Sequence, residues 1–507
     1  MMKLDGLLQV LDGATVTGSV ERNVSDICYD SRRCGKDSLF VAITGHKFDG
    51  HRYIEMAIKQ GASCIVHEHE IPFREDIAYV KVADSRRALG RLGRAFFGNP
   101  TAELCLVGIT GTNGKTTISY LLESILKAAG KSVGVIGTIT SRYGNEVHES
   151  SITTPESIDL QRMFRRMVAA GVTHCVMEVS SHALDQGRVA DCMYDLGIFT
   201  NLSQDHLDYH LTMEEYYCAK RRFFLDILVD ERKAIINGDD PWGRRLIDET
   251  GGSPVTYGLD RAWTVSAQRF DLSLGGIRGE IVTPEGAVSV SSPLVGTFNL
   301  YNILASVAAA VSMRISMDAV MEGIKRLRAI PGRFQKVNRN GEPAVFVDYA
   351  HTENALRNVL ETVVRFKTHK IITVFGCGGD RDRGKRPLMG KVAADMSDLA
   401  IVTSDNPRTE DPLDIIAQIE SGIKGGSVGK VSLEGITPGG YDSGYAVIPD
   451  RREAILTAIS IAGPEDIVLI AGKGHENYQI IGETKIFFDD TVVAGEALER
   501  RRLEMTG

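Results

Sequence analysis

The sequence predicts a three-domain α/β protein: a small α/β N-terminal domain over residues 1–99, a central phosphate-loop domain on a parallel sheet over 100–330, and a C-terminal Rossmann-like domain over 331–507. Three observations carry this. A chain of 507 residues is about three domains long at roughly 150 residues each. Short apolar runs alternate with stretches of helical spacing, the pattern of a parallel sheet covered by helices. Turn chemistry interrupts at Gly98-Asn99-Pro100 and again at Ile330-Pro331-Gly332.

Element by element, strands are expected over 38–44, 62–67 and 78–82, with helical spacing over 51–61 between the first two. Past the first boundary, 104–110 reads as a buried strand. A glycine-rich loop follows, then a helix from Thr116 to about Ala129 with Ile118, Leu121, Leu122, Ile125 and Leu126 on one face. Further strands are expected over 133–137, 174–179 and 196–200, and a helix over 214–228. The stretch 263–290 alternates apolar and polar residues, as an antiparallel add-on would. After the second boundary, strands over 345–348, 370–375, 399–403 and 466–471 alternate with helical stretches, as in a doubly wound sheet.

Composition narrows the function. A net charge of −8 argues against a general nucleic-acid binder, which needs a basic face to displace counterions. No apolar run is long enough to span a bilayer, and acidic residues break the N-terminal apolar stretch, so neither membrane insertion nor a signal peptide is expected. The eight cysteines are scattered without a CxxC pair and read as buried reduced thiols of a cytoplasmic protein.

The strongest motif runs from Gly108 through Gly111-Thr112-Asn113-Gly114-Lys115-Thr116-Thr117. It lies between a strand and an amphipathic helix, where glycines let backbone N–H groups converge on phosphate and the helix N-terminus adds positive dipole. Lys115 would neutralise the transferring phosphate and Thr116 would offer a hydroxyl to Mg²⁺. The first glycine sits one residue earlier than the strict P-loop spacing requires. Kinases, hydrolases and ligases share this device, so it does not name the reaction.

Glu178 ends a buried strand, and His206 follows the next one among carboxylates. Strand C-termini line the ligand crevice of a parallel sheet, so both are candidate metal ligands. Protonated lysine has only donors, so on its own chemistry Lys220 reads as a surface lysine. Three charged or glycine-rich loops follow C-terminal strands: 376–387, 404–409 and 472–476. Arg381 and Arg408 can pair with carboxylates and Glu476 can receive an ammonium, a mixture suited to a zwitterionic amino acid.

Taken together, GTNGKTT (111–117), MEVSSHAL (177–184), FTNLSQDHLDYH (199–210), AKRRFF (219–224), GTFNLYN (296–302), IPGRF (330–334), VDYAHTENAL (347–356), FGCGGDRDRGKRP (375–387), TSDNPR (403–408) and AGKGHE (471–476) resemble the Mur ligase family over nearly the whole chain. The resemblance implies an ATP-dependent amide ligase of peptidoglycan precursor synthesis, with ATP as co-substrate, Mg²⁺ as cofactor and a monomeric state. It implies that an acyl phosphate forms on the D-glutamyl γ-carboxylate of a UDP-muramoyl-dipeptide and that meso-diaminopimelate attacks it.

The implied roles follow the motifs. Gly111, Thr112, Asn113, Gly114, Lys115, Thr116, Thr117, Asn302 and Arg333 bind ATP, with Asp348 and His351 near the nucleotide. Ser31, within Asp30-Ser31-Arg32, and His46, Lys47 and Phe48 bind the UDP end of the substrate in the N-terminal domain. Thr153, Thr154, Ser180, Gln186 and Arg188 hold the muramoyl-dipeptide. Thr116, Glu178, His206 and Lys220, the last as a carbamate (N6-carboxylysine), hold metal, and Lys115, Lys220 and His206 are catalytic. Arg381, Asp405, Asn406, Pro407, Arg408, Gly472 and Glu476 bind meso-diaminopimelate. The Arg of DNPR marks that amino acid against lysine, whose side chain lacks a second carboxylate for an arginine to meet. A folylpolyglutamate synthetase type would share the phosphate loop but needs neither the N-terminal domain nor DNPR. A regulator without turnover would predict degraded metal or amine residues.

Overall fold

The computed structural model describes all residues except 1, 46–48, 229, 231–232, 339–341, 427 and 507, and leaves out the side chains of 504–506. Its strands build three main sheets. The first has five strands in the spatial order Thr15–Thr17, Ala78–Lys81, Ala62–His67, Ser38–Val41 and Ile27–Cys28. Its pairs are parallel except at the Thr15–Thr17 edge. Residues 62–67 form the strand expected there, whereas 51–61 begins as a 3-10 turn (Gly50–Tyr53) before the α-helix Ile54–Lys59.

The second sheet has eleven strands. From Val133–Ile136 through His174–Glu178, Cys105–Thr110, Leu196–Phe199, Ala234–Asn237 and Val255–Gly258 to Val265–Ser273, every neighbouring pair is parallel. The antiparallel hairpin Thr140–Tyr143/Glu146–Glu149 extends one edge, and Gly276–Thr283 and Gly286–Ser292 extend the other. The alternating stretch expected as an add-on is thus continuous with the main sheet, and its first strand pairs parallel to its inner neighbour.

The helix Lys115–Ala128 follows the phosphate loop and buries Ile118, Leu121, Leu122, Ile125 and Leu126, the apolar stripe expected from spacing. On its outer side lies the helix Met317–Arg326, brought close by Gly323. A methyl group on Gly323 would sit 2.4 Å from Ile125 Cα, and Ser124 Oγ donates to Gly323 O at 2.6 Å. Gly323→Ala should push these helices apart and cost about 1–3 kcal/mol, the range for overpacking a tight core. A thermal-unfolding midpoint equal to wild type would show the contact to be soft.

The third sheet has six strands in the order Gln335–Lys336, Ala344–Asp348, Ile467–Ala471, Ile371–Phe375, Leu399–Val402 and Gly444–Val447, all parallel except the first pair. Helices cover both faces, and two apolar clusters, one centred on Phe346 and Leu469 and the other on Val347 and Ile470, form the two layers of core. Parallel strands buried on both faces read as unbroken apolar runs, which explains why IITVF and IVLIA were visible in the sequence. No described helix is long and apolar enough to cross a membrane. Cys218 is exposed and Cys105 half-buried, while the other cysteines are buried; all are free.

Candidate active site

The strand Cys105–Thr110 delivers the chain into the phosphate loop at the C-terminal edge of the second sheet. Gly111 takes φ +142° and Gly114 φ +92°, both closed to side chains at low cost. A methyl group on Gly111 would lie 1.9 Å from Thr200 Oγ1, and one on Gly114 would lie 2.4 Å from Asn302 Oδ1. Thr112 and Asn113 are fixed from the next strand's loop: Thr112 N donates to Asn201 O and Asn113 N to Asn201 Oδ1, each at 2.9 Å. Lys115 folds over the loop, its Nζ donating to Gly111 O and Thr112 O at 2.8 Å. Burial lowers its pKa, partly opposed by the carboxylates of Glu178 and Asp205.

Glu178 ends the strand next to the loop, buried under Gly137. Its carboxylate accepts from Thr116 Oγ1 at 3.0 Å, Thr138 Oγ1 at 2.8 Å and Thr138 N at 3.0 Å. Arg333 Nη2 reaches Thr116 Oγ1 at 3.3 Å, joining IPGRF to the phosphate loop, and its guanidinium lies over the Tyr349 ring. Thr117 is buried one residue on.

Lys220 corrects its reading as a surface residue. Only 1% of it is exposed, and its Nζ donates to Gly111 O at 3.0 Å behind the phosphate loop. Burial first, and then the Lys115 charge, push its pKa well below that of free lysine, which eases loss of its proton. His206 has φ +55° and is held near 3 by burial, so its ring is neutral with a lone pair to offer. Burial raises the Asp205 carboxyl, but His206, His351 and Lys385 together carry it below the usual carboxylate value; with both rings neutral, Lys385 from the third sheet's loops is the lasting positive charge beside it.

A hydroxyl, a carboxylate, a neutral imidazole and a buried amine therefore cluster around one loop. Oxygen donors with one imidazole suit a hard divalent cation, so the set fits Mg²⁺. The buried Lys220 side chain suits it only as a carbamate, which replaces an ammonium with oxygen donors.

Around the far side of Glu178, Thr154 Oγ1 donates to Glu178 O at 2.9 Å and accepts from Ser180 N at 3.0 Å. Thr153 Oγ1 meets Thr138 Oγ1 at 3.1 Å. Arg188 donates to Thr154 O and Gln186 Oε1, and Gln186 Nε2 to the Tyr209 hydroxyl. These five residues thus converge beside the phosphate loop. Ser31 lies in the 3-10 turn Ser31–Arg33, capped by Asp30. There Asp26, Tyr29, Asp30, Arg33, Asp159 and Arg162 line a cleft of about 330 Å³ between the first sheet and the helix Ser157–Ala169. His46, Lys47 and Phe48 lie outside the described residues.

The third sheet presents its loops toward the phosphate loop: Arg333, which reaches Thr116, lies against the ring of Tyr349 from the loop after the strand Ala344–Asp348. Asp348 is buried and accepts from Phe334 N and Ala350 N, yet burial still raises it to about 6. Asn406 Nδ2 donates to Glu476 Oε2 at 2.8 Å, and the buried Lys473 reaches both side chains at 3.2 Å. Gly472, at φ +113°, lets the backbone pass Asp405, where a methyl group would lie 2.7 Å from its Oδ2. Arg408 Nη1 donates to Gly379 O at 2.6 Å, and Arg381 Nη1 to Asp380 O at 3.0 Å. Pro407 lies between, its carbonyl against Gly379. Sequence reading missed Asp205, Lys385 and Lys473 as site residues; each sat inside a quoted motif without a role.

Family profiles match three consecutive stretches: "Mur ligase family, catalytic domain" over residues 23–97, "Mur ligase middle domain" over 109–310 and "Mur ligase, glutamate ligase domain" over 332–474. A protein of Geobacter metallireducens is 47% identical over 96% of this chain and 97% of its own length; one of Geobacillus thermodenitrificans is 44% identical over 99% and 100%. The chain belongs to the Mur ligase family. Both relatives are named UDP-N-acetylmuramoyl-L-alanyl-D-glutamate--2,6-diaminopimelate ligase. A solved structure of that title superposes with a TM-score of 0.67 at 32% identity, covering 98% of this chain and 99% of its own. A MurF ligase of Thermotoga maritima solved with ADP shares the fold at a TM-score of 0.62 and 18% identity, over 95% of this chain and 98% of its own. As a Mur ligase, the chain is an ATP-dependent ligase.

Proposed function

We propose that this Mur ligase joins meso-diaminopimelate to the D-glutamyl γ-carboxylate of UDP-N-acetylmuramoyl-L-alanyl-D-glutamate at the expense of ATP. The observation that carries the reading is the third sheet's loop cluster. Arg408 and Arg381 supply paired cations, and Glu476, Asn406 and Asp405 supply acceptors beside them. Such a patch matches an amino acid whose distal end bears both a carboxylate and an ammonium. The names of the full-length relatives support the same substrates.

The γ-carboxylate oxygen attacks the γ-phosphorus of ATP, and the bond to the ADP oxygen breaks. Lys115 offsets the charge that spreads over the phosphoryl oxygens, and the loop N–H groups of 111–117 hold the phosphates. Asn302 and Arg333 brace the nucleotide from the far side. Mg²⁺ held by Thr116, Glu178, His206 and carbamylated Lys220 would supply neutralising charge between phosphate and carboxylate. Ser31, with His46, Lys47 and Phe48, anchors the UDP end, and Thr153, Thr154, Ser180, Gln186 and Arg188 orient the dipeptide. The neutral amine of meso-diaminopimelate, held by Arg381, Asp405, Asn406, Pro407, Arg408, Gly472 and Glu476, then attacks the acyl carbon. The tetrahedral adduct loses phosphate and a proton, leaving the amide. Movement of the third sheet about Pro331-Gly332 brings amine and acyl phosphate together and excludes water.

The deciding experiment is phosphate release from ATP with the UDP-muramoyl-dipeptide, comparing meso-diaminopimelate with L-lysine. Release is expected only with the first. Release with lysine alone would keep the ligase and overturn the arginine argument.

A further inference from the structure

We propose that Glu410, clamped by the buried Arg386, is the positioning residue that sets the spacing of Arg381 and Arg408 and so makes the site select a second carboxylate. The proposal rests on the reading of the amino-acid site given above. It begins from two loops on neighbouring strands, 376–384 and 403–411. Each carries one of the arginines, and neither has regular structure of its own.

Glu410 sits at the join between them. Its two oxygens accept from Arg386 Nη1 at 2.9 Å and Nη2 at 2.8 Å, a bidentate pair from a side chain with no exposure. The backbone N–H of Asp380, next to Arg381, donates to the same carboxylate at 2.6 Å, and Arg383 approaches at 3.2 Å. Arg386 is itself pinned by Gln418 Oε1 and Gly378 O, so the clamp ties the helix Lys385–Met396, the helix Pro412–Ile423 and both loops. The Arg386 guanidinium holds the Glu410 carboxyl near 2, so it is charged throughout the working range.

Above the clamp the loops are zipped together. Gly379 N donates to Asn406 O at 2.9 Å, Arg408 Nη1 to Gly379 O, and Thr409 Oγ1 to Asp380 Oδ1 at 2.7 Å. A methyl group on Gly379 would lie 1.9 Å from Pro407 O. Asp380 and Arg408 both take left-handed backbone, φ +53° and +51°, which a non-glycine residue keeps only where its surroundings enforce it. Each arginine is thus one residue from, or itself part of, a cross-loop tie. Neither touches Glu410, so the clamp acts on them through the backbone.

Two guanidiniums share one carboxylate only at a fixed separation, and misplacement by an ångström costs on the order of a hundred-fold. Lysine presents no such carboxylate, so its use is blind to that separation. Glu410→Gln keeps the shape but turns an amide NH₂ toward donors that now lack an acceptor. We expect it to raise KM for meso-diaminopimelate about ten- to hundred-fold, with KM for ATP and for the UDP-muramoyl-dipeptide within about two-fold. The preference for meso-diaminopimelate over L-lysine in kcat/KM should fall by the same factor. Arg386→Lys, which keeps the charge but loses the fork, should show the same pattern in weaker form.

Thermal unfolding of each variant separates folding from positioning. A parallel loss in all three KM values and kcat with a lowered midpoint would make the clamp merely structural and overturn the proposal, as would an unchanged amino-acid preference. In either case wild-type release with meso-diaminopimelate stays intact. Its absence would instead overturn the function on which the proposal rests.

Discussion

Lys115→Ala should lower kcat by about a thousand-fold or more, since one preorganised charge on a transferring phosphoryl group supplies that much. KM for meso-diaminopimelate should hardly change, because Lys115 lies on the phosphate loop and the amino-acid residues lie on the third sheet. Stability should not suffer in proportion. The ammonium is carried at a desolvation cost, shown by its lowered pKa, and its bonds are to two loop carbonyls. Deleting it removes that cost along with those bonds. Steady-state phosphate release alongside thermal unfolding checks both halves. Turnover near wild type would remove Lys115 from the chemistry; a collapsed midpoint would mean the lost rate reports folding.

What could be read from the chain depended on whether a feature lived within one element. The strand 62–67 and the helix after the phosphate loop announce themselves by an unbroken apolar run and a 3.6-residue stripe. The edge hairpin Thr140–Glu149 was invisible because its outer strand Glu146–Glu149 is exposed at every position and carries no apolar face. The helix expected over 214–228 is α only over Met213–Arg222 and then widens into a π-turn over Phe223–Ile227. The cause is tertiary: Phe223 packs where any side chain on Gly108 would clash, and Phe224 lies against Phe199. Periodicity carries no trace of that.

The site divides the same way. The phosphate loop and Glu178 stand at strand ends and could be placed from position alone. Asp205 and Lys385 acquire meaning only when loops of different sheets face one another, and Lys473 only when two loops of the third sheet meet, which spacing along one strand cannot reveal. The Glu410–Arg386 clamp is harder still, since a charged pair in a loop-rich stretch reads as solvated surface until Arg386 is seen to be fully buried.

Lys220→Ala should abolish turnover to a similar degree, about a thousand-fold, for a different reason. Its neighbours Arg221 and Arg222 make the stretch look like a solvated charge run, yet Lys220 points inward and the other two lie toward the surface. A buried lysine beside a second lysine is poorly placed as a cation and well placed as a neutral amine. On the proposed reading that amine would add to CO₂, forming an N–C bond and releasing one proton, beside the phosphate loop that its Nζ already meets at Gly111 O. Native mass spectrometry of wild type should show one added CO₂ that Lys220→Ala lacks. Stripping CO₂ from buffers should lower wild-type rates, and bicarbonate should restore them, while the variant responds to neither. Because the Lys115 charge is the second cause of the depressed pKa, Lys115→Ala should raise it and shift some Lys220 back toward the ammonium. The carbamate signal should therefore weaken in that variant, though only in part, since burial is the larger cause. A Lys220→Ala enzyme of normal rate, or a wild type carrying no CO₂, would take Lys220 out of the metal site.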